Sequence, residues 1–442
     1  MEMSEATSDA LRQRIADVVE EGDYLAAARV WAELVRQDPG DEALRVEEIG
    51  ALNLAHAWQD AEDRAAVAVA DFPQSIYIQL ARANIAYMSY DWQVAVERFE
   101  EIRKRFDPAR FHDSLNTVLV QLHCHELMSD YENARRLANA FWPQLRKTNF
   151  TFRHESLLLG TLLTPERRKL HLAWIAHAMP RRFRQDFHKR ESLASRNGAW
   201  MKRCARGVKI LSLGQNCLPW MLPNRWGLRP DDIDMNPLGP FDYFPTIADK
   251  AAEALDSDFE PFLREDALRP FITGTKIPAL MNDAMQASFF HETGNWWSEN
   301  NWARLKLAYR ERIVRFKNSI RRGPALYVYA ICGAASVESI VDSYYRVLHD
   351  ENSRLLIVNL LKEPLATQVK RPHVRLVHVP YPEDYTWTHW EEFTSERGIA
   401  FELEIVGEIL AQVRQLTGDV KPPSDQVSVL GAFRHALSRV GF

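Results

Sequence analysis

Cys217 closes an apolar run, VKILSLGQNC, that breaks at Gly214. A cysteine delivered by the end of a strand is placed to attack a carbonyl. The attacking form is the thiolate, which a helix N-terminus just beyond would favour. Gly214 permits a tight turn there, and Pro219 is compatible with the first turn of a following helix. Backbone N–H groups near Asn216 and Cys217 would then face a developing oxyanion. A plainer reading competes with this one, because free cysteine is among the most buried residue types and commonly only packs.

A thiol nucleophile needs a histidine base and a third group that orients it. Two histidines are candidates. His291 follows the short apolar stretch ASFF, with Asp242 as its orienting carboxylate. His389 lies in PYPEDYTWTHWEEF, directly beyond the last strand-like run, with Asp384 five residues before it. The second layout has the order of SGNH-type hydrolases, nucleophile after the first strand and the Asp and His together before the last helix. Cys stands in place of Ser, and the Asp-to-His spacing is wider than theirs. The sequence leaves the choice between His291 and His389 open.

Other residue types add less. The cluster NWWSENNW holds Trp296, Trp297 and Trp302, whose flat faces suit either sugar rings or packing under a lid. No grouping of His, Cys, Asp and Glu has metal-ligand spacing. The turn at Gly214 has neither the GxGxxG pattern nor a following Lys, which disfavours a phosphate loop. No cofactor and no metal are expected.

Elements that could carry these residues are legible in the second half. VKILSLG, ALYVYAI, RLLIVNLL and VRLVHVPYP read as strands, separated by helical stretches such as NWARLKLAYRERIVRFKNSIRR and SVESIVDSYYRVLHD. Continuous apolar strands between amphipathic helices predict an α/β domain with a mostly parallel, doubly wound sheet. Such sheets keep their chemistry in the loops beyond the carboxyl ends of the strands.

The first half has a different grammar. Tyr24, Trp58 and Trp92 are 34 residues apart, as are Ala27, Ala61 and Ala95. Pro39, Pro73 and Pro108 close each unit at nearly the same step, and Tyr131 and Ala134 open a fourth copy. A period of helix, turn, helix and terminal Pro resembles the tetratricopeptide repeat. The small Ala lets helices approach, the aromatic fills the gap between units, and Pro stops the second helix. Repeats of this kind hold protein partners in a groove, or they buttress the next domain. The expected organisation is repeats over 1–147, a basic helical connector over 148–206, the α/β domain over 207–420 and a tail over 421–442.

With these blocks on the page, the chain resembles a bacterial papain-like cysteine-peptidase family, a domain of unknown function. Ser212, Leu213, Gly214 and Cys217 match its Ser-Leu-Gly-x-x-Cys block, and Leu228 and Arg229 match a Leu-Arg pair. Pro240, Phe241 and Asp242 match its Pro-Phe-Asp-Trp block, with Tyr243 in place of Trp. FFHE around His291 and YRERIVRF around Arg312 and Arg315 resemble weaker later blocks. The likeness spans roughly residues 207 to 360 and implies a Cys217 nucleophile, with Arg229 near the substrate. The peptidase label is itself an inference about that family and says little about peptide cleavage.

Composition bounds the remainder. Hydrophobic residues at 46% and charged residues at 26% are ordinary for a globular chain, and a net charge of −5 excludes nothing. Between Arg146 and Lys209 there are sixteen Lys/Arg against four Asp/Glu. That stretch could face nucleic acid, anionic lipid or an acidic glycan, or be a solvated helical surface; nucleic acid is the disfavoured partner. Four widely spread cysteines without CxxC fit a reducing compartment. The polar start and the lack of a long apolar run predict no membrane span and a cytoplasmic protein.

The sequence expectation is therefore a cysteine-dependent hydrolase or acyl transferase acting on a peptide or glycan, recruited by a protein partner in its repeats. A glycan-modifying transferase or an SGNH-like esterase is the alternative. A non-catalytic interaction protein is the second alternative.

Overall fold

In a computed structural model, the protein divides into two units. Residues 5–106, 112–130, most of 132–141, 205–226, 228, 238–242, 244–272, 278–289, 291–321, 323–333, 337–366, 369–383, 385 and 395–418 are described. The expected connector before residue 205 and the tail beyond residue 418 lie outside them.

The first unit is a run of helices: α1 (Glu5–Glu20), α2 (Tyr24–Gln37), α3 (Glu42–Leu54), α4 (Trp58–Asp71), α5 (Ile76–Met88), α6 (Trp92–Arg105) and α7 (His112–Leu127). Tyr24, Trp58 and Trp92 each open the second helix of a pair, so the sequence period is the structural period. Ala27, Ala61 and Ala95 are fully buried, where a larger side chain would force the helices apart. The helix starts are capped by side chains. Asp23 accepts from the Ala26 N–H, Asp41 from Ala43, Ser75 from Ile78 and Asp91 from Val94.

Thr293–Trp297 belongs to this helical unit although the sequence places it in the second half. Trp92 Nε1 donates to the Thr293 carbonyl at 2.8 Å, and Trp297 Nε1 to the Leu127 carbonyl at 3.1 Å. Gly294, at φ +89°, comes so close that a Cβ there would lie 2.3 Å from the Tyr90 carbonyl oxygen.

The second unit is built on β1 (Lys209–Ser212), β5 (Ala325–Ile331), β6 (Ser353–Asn359) and β7 (Val374–His378), all parallel, in the order β1-β5-β6-β7. These are the four runs read as strands. Alternate residues of β5 face opposite sides, and both sides are covered. Leu326, Val328 and Ala330 pack with Leu218 and Leu222 of α8 (Leu218–Arg225), with Trp226 just after it, and with Ile405, Ile409 and Val413 of the last helix, Glu396–Thr417. On the other face Tyr327 meets Phe316 and Tyr344. Among the described strands the order runs one way from β1, which lies at one edge.

The sequence did not announce a second, smaller sheet. β2 (Leu268–Ile272), β3 (Pro278–Asn282) and β4 (Ala287–Phe289) are adjacent in that order, and β3 pairs antiparallel with β4. After it comes α10 (Asn295–Ile320), with α9 (Ala248–Asp256) earlier in the chain. α10 is interrupted at Glu299–Trp302, where three residues take left-handed backbone angles. No helix among the described residues is long and apolar enough to cross a membrane.

Candidate active site

The path of the chain beyond β1 places Cys217. Its ladder to β5 continues past Ser212: Leu213 N–H donates to the Val328 carbonyl, Ala330 N–H to Gly214 and Gln215 N–H to Ala330. Gly214 has φ +97°, and a Cβ there would lie 3.4 Å from both the Thr246 methyl and the Thr246 carbonyl. Glycine is therefore required by the backbone angle, while a Cβ would find only ordinary contact with Thr246. Asn216 then caps α8. Its Oδ1 accepts the Leu218 N–H at 2.9 Å, while its Nδ2 donates to the Tyr381 hydroxyl at 3.2 Å. The Cys217 carbonyl accepts the Met221 N–H at 2.9 Å, so Cys217 stands at the helix N-terminus.

His291 arrives from the small sheet. β4 ends at Phe289, and the chain turns so that His291 Nε2 lies 3.5 Å from Cys217 Sγ. The next residue, Glu292, pairs with Arg312 of α10 at 2.6 Å, both side chains only 2% exposed. Arg312 in turn sits over the Tyr309 ring at 4.6 Å. Asp242 is buried in the turn Gly239–Asp242, where its Oδ2 accepts the Gly239 N–H at 2.5 Å. The phenylalanines flanking it are core residues: Phe241 packs on Phe262 and Phe316, and Phe244 on Phe289.

The electrostatics set the resting protonation state. Burial pushes the Cys217 thiol up to about 12, and the carboxylates of Asp242 and Glu292, with Cys332, push the same way. Cys217 keeps partial solvent access at its surface, yet the protein around it is dense and acidic. Burial holds His291 below the ordinary imidazole range; Glu292 opposes that and Arg312 adds to it. The resting pair is thus a neutral thiol beside a neutral imidazole. This reverses the sequence expectation of a low-pKa thiolate, because desolvation and two carboxylates outweigh the helix terminus.

Further groups crowd the same strand ends. Gln215 is buried, and its Oε1 accepts the Cys332 N–H at 3.0 Å, which turns its amide nitrogen toward Gly333. Cys332 is exposed as a residue, but partial desolvation of its thiol raises it while a hydrogen bond to Asn216 opposes the shift. Sequence reasoning gave no role to Gln215, Cys332, Tyr381, Tyr309 or the Glu292–Arg312 pair. The signals that could have flagged them were the nearness of Gln215 to Cys217, the adjacency of Glu292 to His291, and the FFHE and YRERIVRF blocks that hold Glu292 and Arg312.

The other sequence candidates fall elsewhere. His389, Asp384 and Arg229 lie outside the described residues. Trp297 is buried in the helical unit, and Trp296 packs against its apolar cluster with Trp92 and Phe99. Among the described residues no cluster of His, Cys, Asp and Glu could hold a metal ion.

No family model matches the chain, and no curated protein or solved structure matches it either.

Proposed function

We propose that the chain is a cysteine-nucleophile enzyme of acyl transfer, a hydrolase or acyltransferase, with Cys217 as nucleophile and His291 as general base. The observation that carries this reading is the 3.5 Å separation of Sγ and Nε2 at the carboxyl end of a parallel strand. The reading also agrees with the resemblance of the Gly214–Cys217 and Phe241–Asp242 blocks to the papain-like family, and it makes the helical array a docking module for a protein partner in the cytoplasm.

Because the resting pair is neutral, the proton moves during attack. Cys217 Sγ bonds to the substrate carbonyl carbon as His291 Nε2 takes the thiol proton, giving a tetrahedral oxyanion and an imidazolium. The imidazolium then protonates the leaving group, leaving an acyl-thioester on Cys217. Water or an acceptor hydroxyl or amine, deprotonated by His291, releases the acyl group. The Gln215 and Leu218 N–H groups are already engaged. Oxyanion donation falls to the N–H groups of Asn216 and Cys217 and to the side-chain amide of Gln215.

Incubation with a panel of p-nitrophenyl esters, followed by peptide mass mapping, tests this reading. Acylation of the Cys217 peptide is expected, with no adduct and no nitrophenol burst in Cys217→Ala. Equal release by both proteins, without an adduct, contradicts it.

One observation favours a second reading. A thiol raised to about 12 is the state of a cysteine that packs rather than reacts. Under that reading the α/β unit is a non-catalytic interaction module, and Cys217 stays unmodified by every ester in the panel.

A further inference from the structure

Glu292 and Arg312 form a buried ion pair whose existence stability alone does not explain. Taking both charges out of water costs more than their contact commonly returns, and apolar side chains of similar volume would tie the same elements as well or better. What an ion pair supplies and an apolar contact does not is direction: the charge-assisted hydrogen bond from Arg312 Nη1 to Glu292 Oε1 at 2.6 Å sets where that carboxylate stands.

The pair fixes one end of a very short segment. Glu292 follows His291 directly, and its partner lies on α10. Two residues before His291 is Phe289, which packs edge-on against Tyr309 of the same helix with ring centroids 5.0 Å apart. Tyr309 also stacks on Phe262 at 5.5 Å and lies under Arg312. His291 is thus bracketed, at positions −2 and +1, by contacts to one turn of α10. The charges of the bracket also oppose each other at the imidazole, Glu292 favouring its protonated form and Arg312 its neutral form.

We propose that the Glu292–Arg312 pair is a positioning device for His291, holding Nε2 in line with Cys217 Sγ, and that it acts through that histidine rather than through stability. The inference rests on the reading of Cys217 and His291 as nucleophile and base. A misplacement of about 1 Å at a reacting group costs on the order of 10²-fold in rate, so a loosened bracket has a measurable signature.

The test is the pH profile of Cys217 alkylation by iodoacetamide, read by peptide mass mapping so that other thiols do not interfere. The titratable and charged groups around the pair are Glu292, Arg312 and Tyr309 beside His291, and Asp242, Glu292 and Cys332 beside the thiol. In the wild type, His291 is expected to carry a limb of reactivity at neutral pH that His291→Ala abolishes. The double variant Glu292→Leu/Arg312→Met is expected to unfold in urea at or above the wild-type midpoint, yet to lose about 10²-fold of that limb. Glu292→Asp keeps the charge but shortens the reach; it is expected to keep the fold and lose about tenfold of the limb. A wild-type profile in the folded double variant, or in Glu292→Asp if the double variant does not fold, overturns the proposal while His291→Ala still shows its loss. If His291→Ala itself keeps the wild-type profile, the nucleophile and base reading falls and the positioning role falls with it.

Discussion

Cys217 Sγ and His291 Nε2 meet at 3.5 Å across 74 positions of chain, one at the end of a parallel strand and the other just beyond an antiparallel hairpin. Neither residue's local sequence reveals the other. Their meeting depends on the turn at Gly214, the cap by Asn216 and the anchoring of Glu292 on α10.

The acidic surroundings of the thiol lead to a prediction about Asp242. After burial, its carboxylate is the strongest influence raising the Cys217 thiol. Removing a negative neighbour eases ionisation of a thiol. Asp242→Asn is therefore expected to lower the Cys217 pKa and shift the thiolate limb of its alkylation profile to lower pH. If Asp242 instead served chiefly to orient His291, as the sequence suggested, the neutral-pH reactivity would fall while the thiolate limb stayed in place.

Gly214 should tolerate no side chain. Its positive φ, +97°, disfavours an L-residue by about 1–2 kcal/mol. Gly214→Ala is expected to lower stability by at least that amount in urea unfolding, and to slow Cys217 alkylation at neutral pH. Unchanged stability and reactivity would mean that the turn does not need this geometry.

Gly294 makes a similar statement about the helical unit. A methyl there would collide with the Tyr90 carbonyl at 2.3 Å, and overpacking of this kind costs about 1–3 kcal/mol. Gly294→Ala is expected to destabilise the helices, followed by far-ultraviolet circular dichroism in urea. A loss near zero would show that Thr293–Trp297 is not held against Tyr90 and Trp92 as described.

Much of the architecture was legible because it is written in short periods. Tyr24, Trp58 and Trp92 sit at equivalent helix starts, and the fully apolar ALYVYAI of β5 announces a strand covered on both faces. Local turn chemistry was legible as well: the Gly214 break and the helix after Cys217 are where the residues placed them. The small sheet was not, because β4 is three residues long and β2 contains a proline that argues against a strand. Nor was the histidine's bracket, since Glu292 and Arg312 are 20 residues apart with a helix interruption between them. The acidity of the thiol was misjudged for a related reason. A helix terminus is visible in the sequence, whereas the burial and the folded-in carboxylates that oppose it are tertiary facts.

The most direct test of the central claim is the rate at which an activated ester acylates Cys217 at neutral pH, in wild type and in His291→Ala. Positioned proton transfer contributes about 10²–10⁴-fold, so the account predicts a loss of at least about 10²-fold with the fold intact. Acylation of Cys217 at the same rate in both proteins would contradict it.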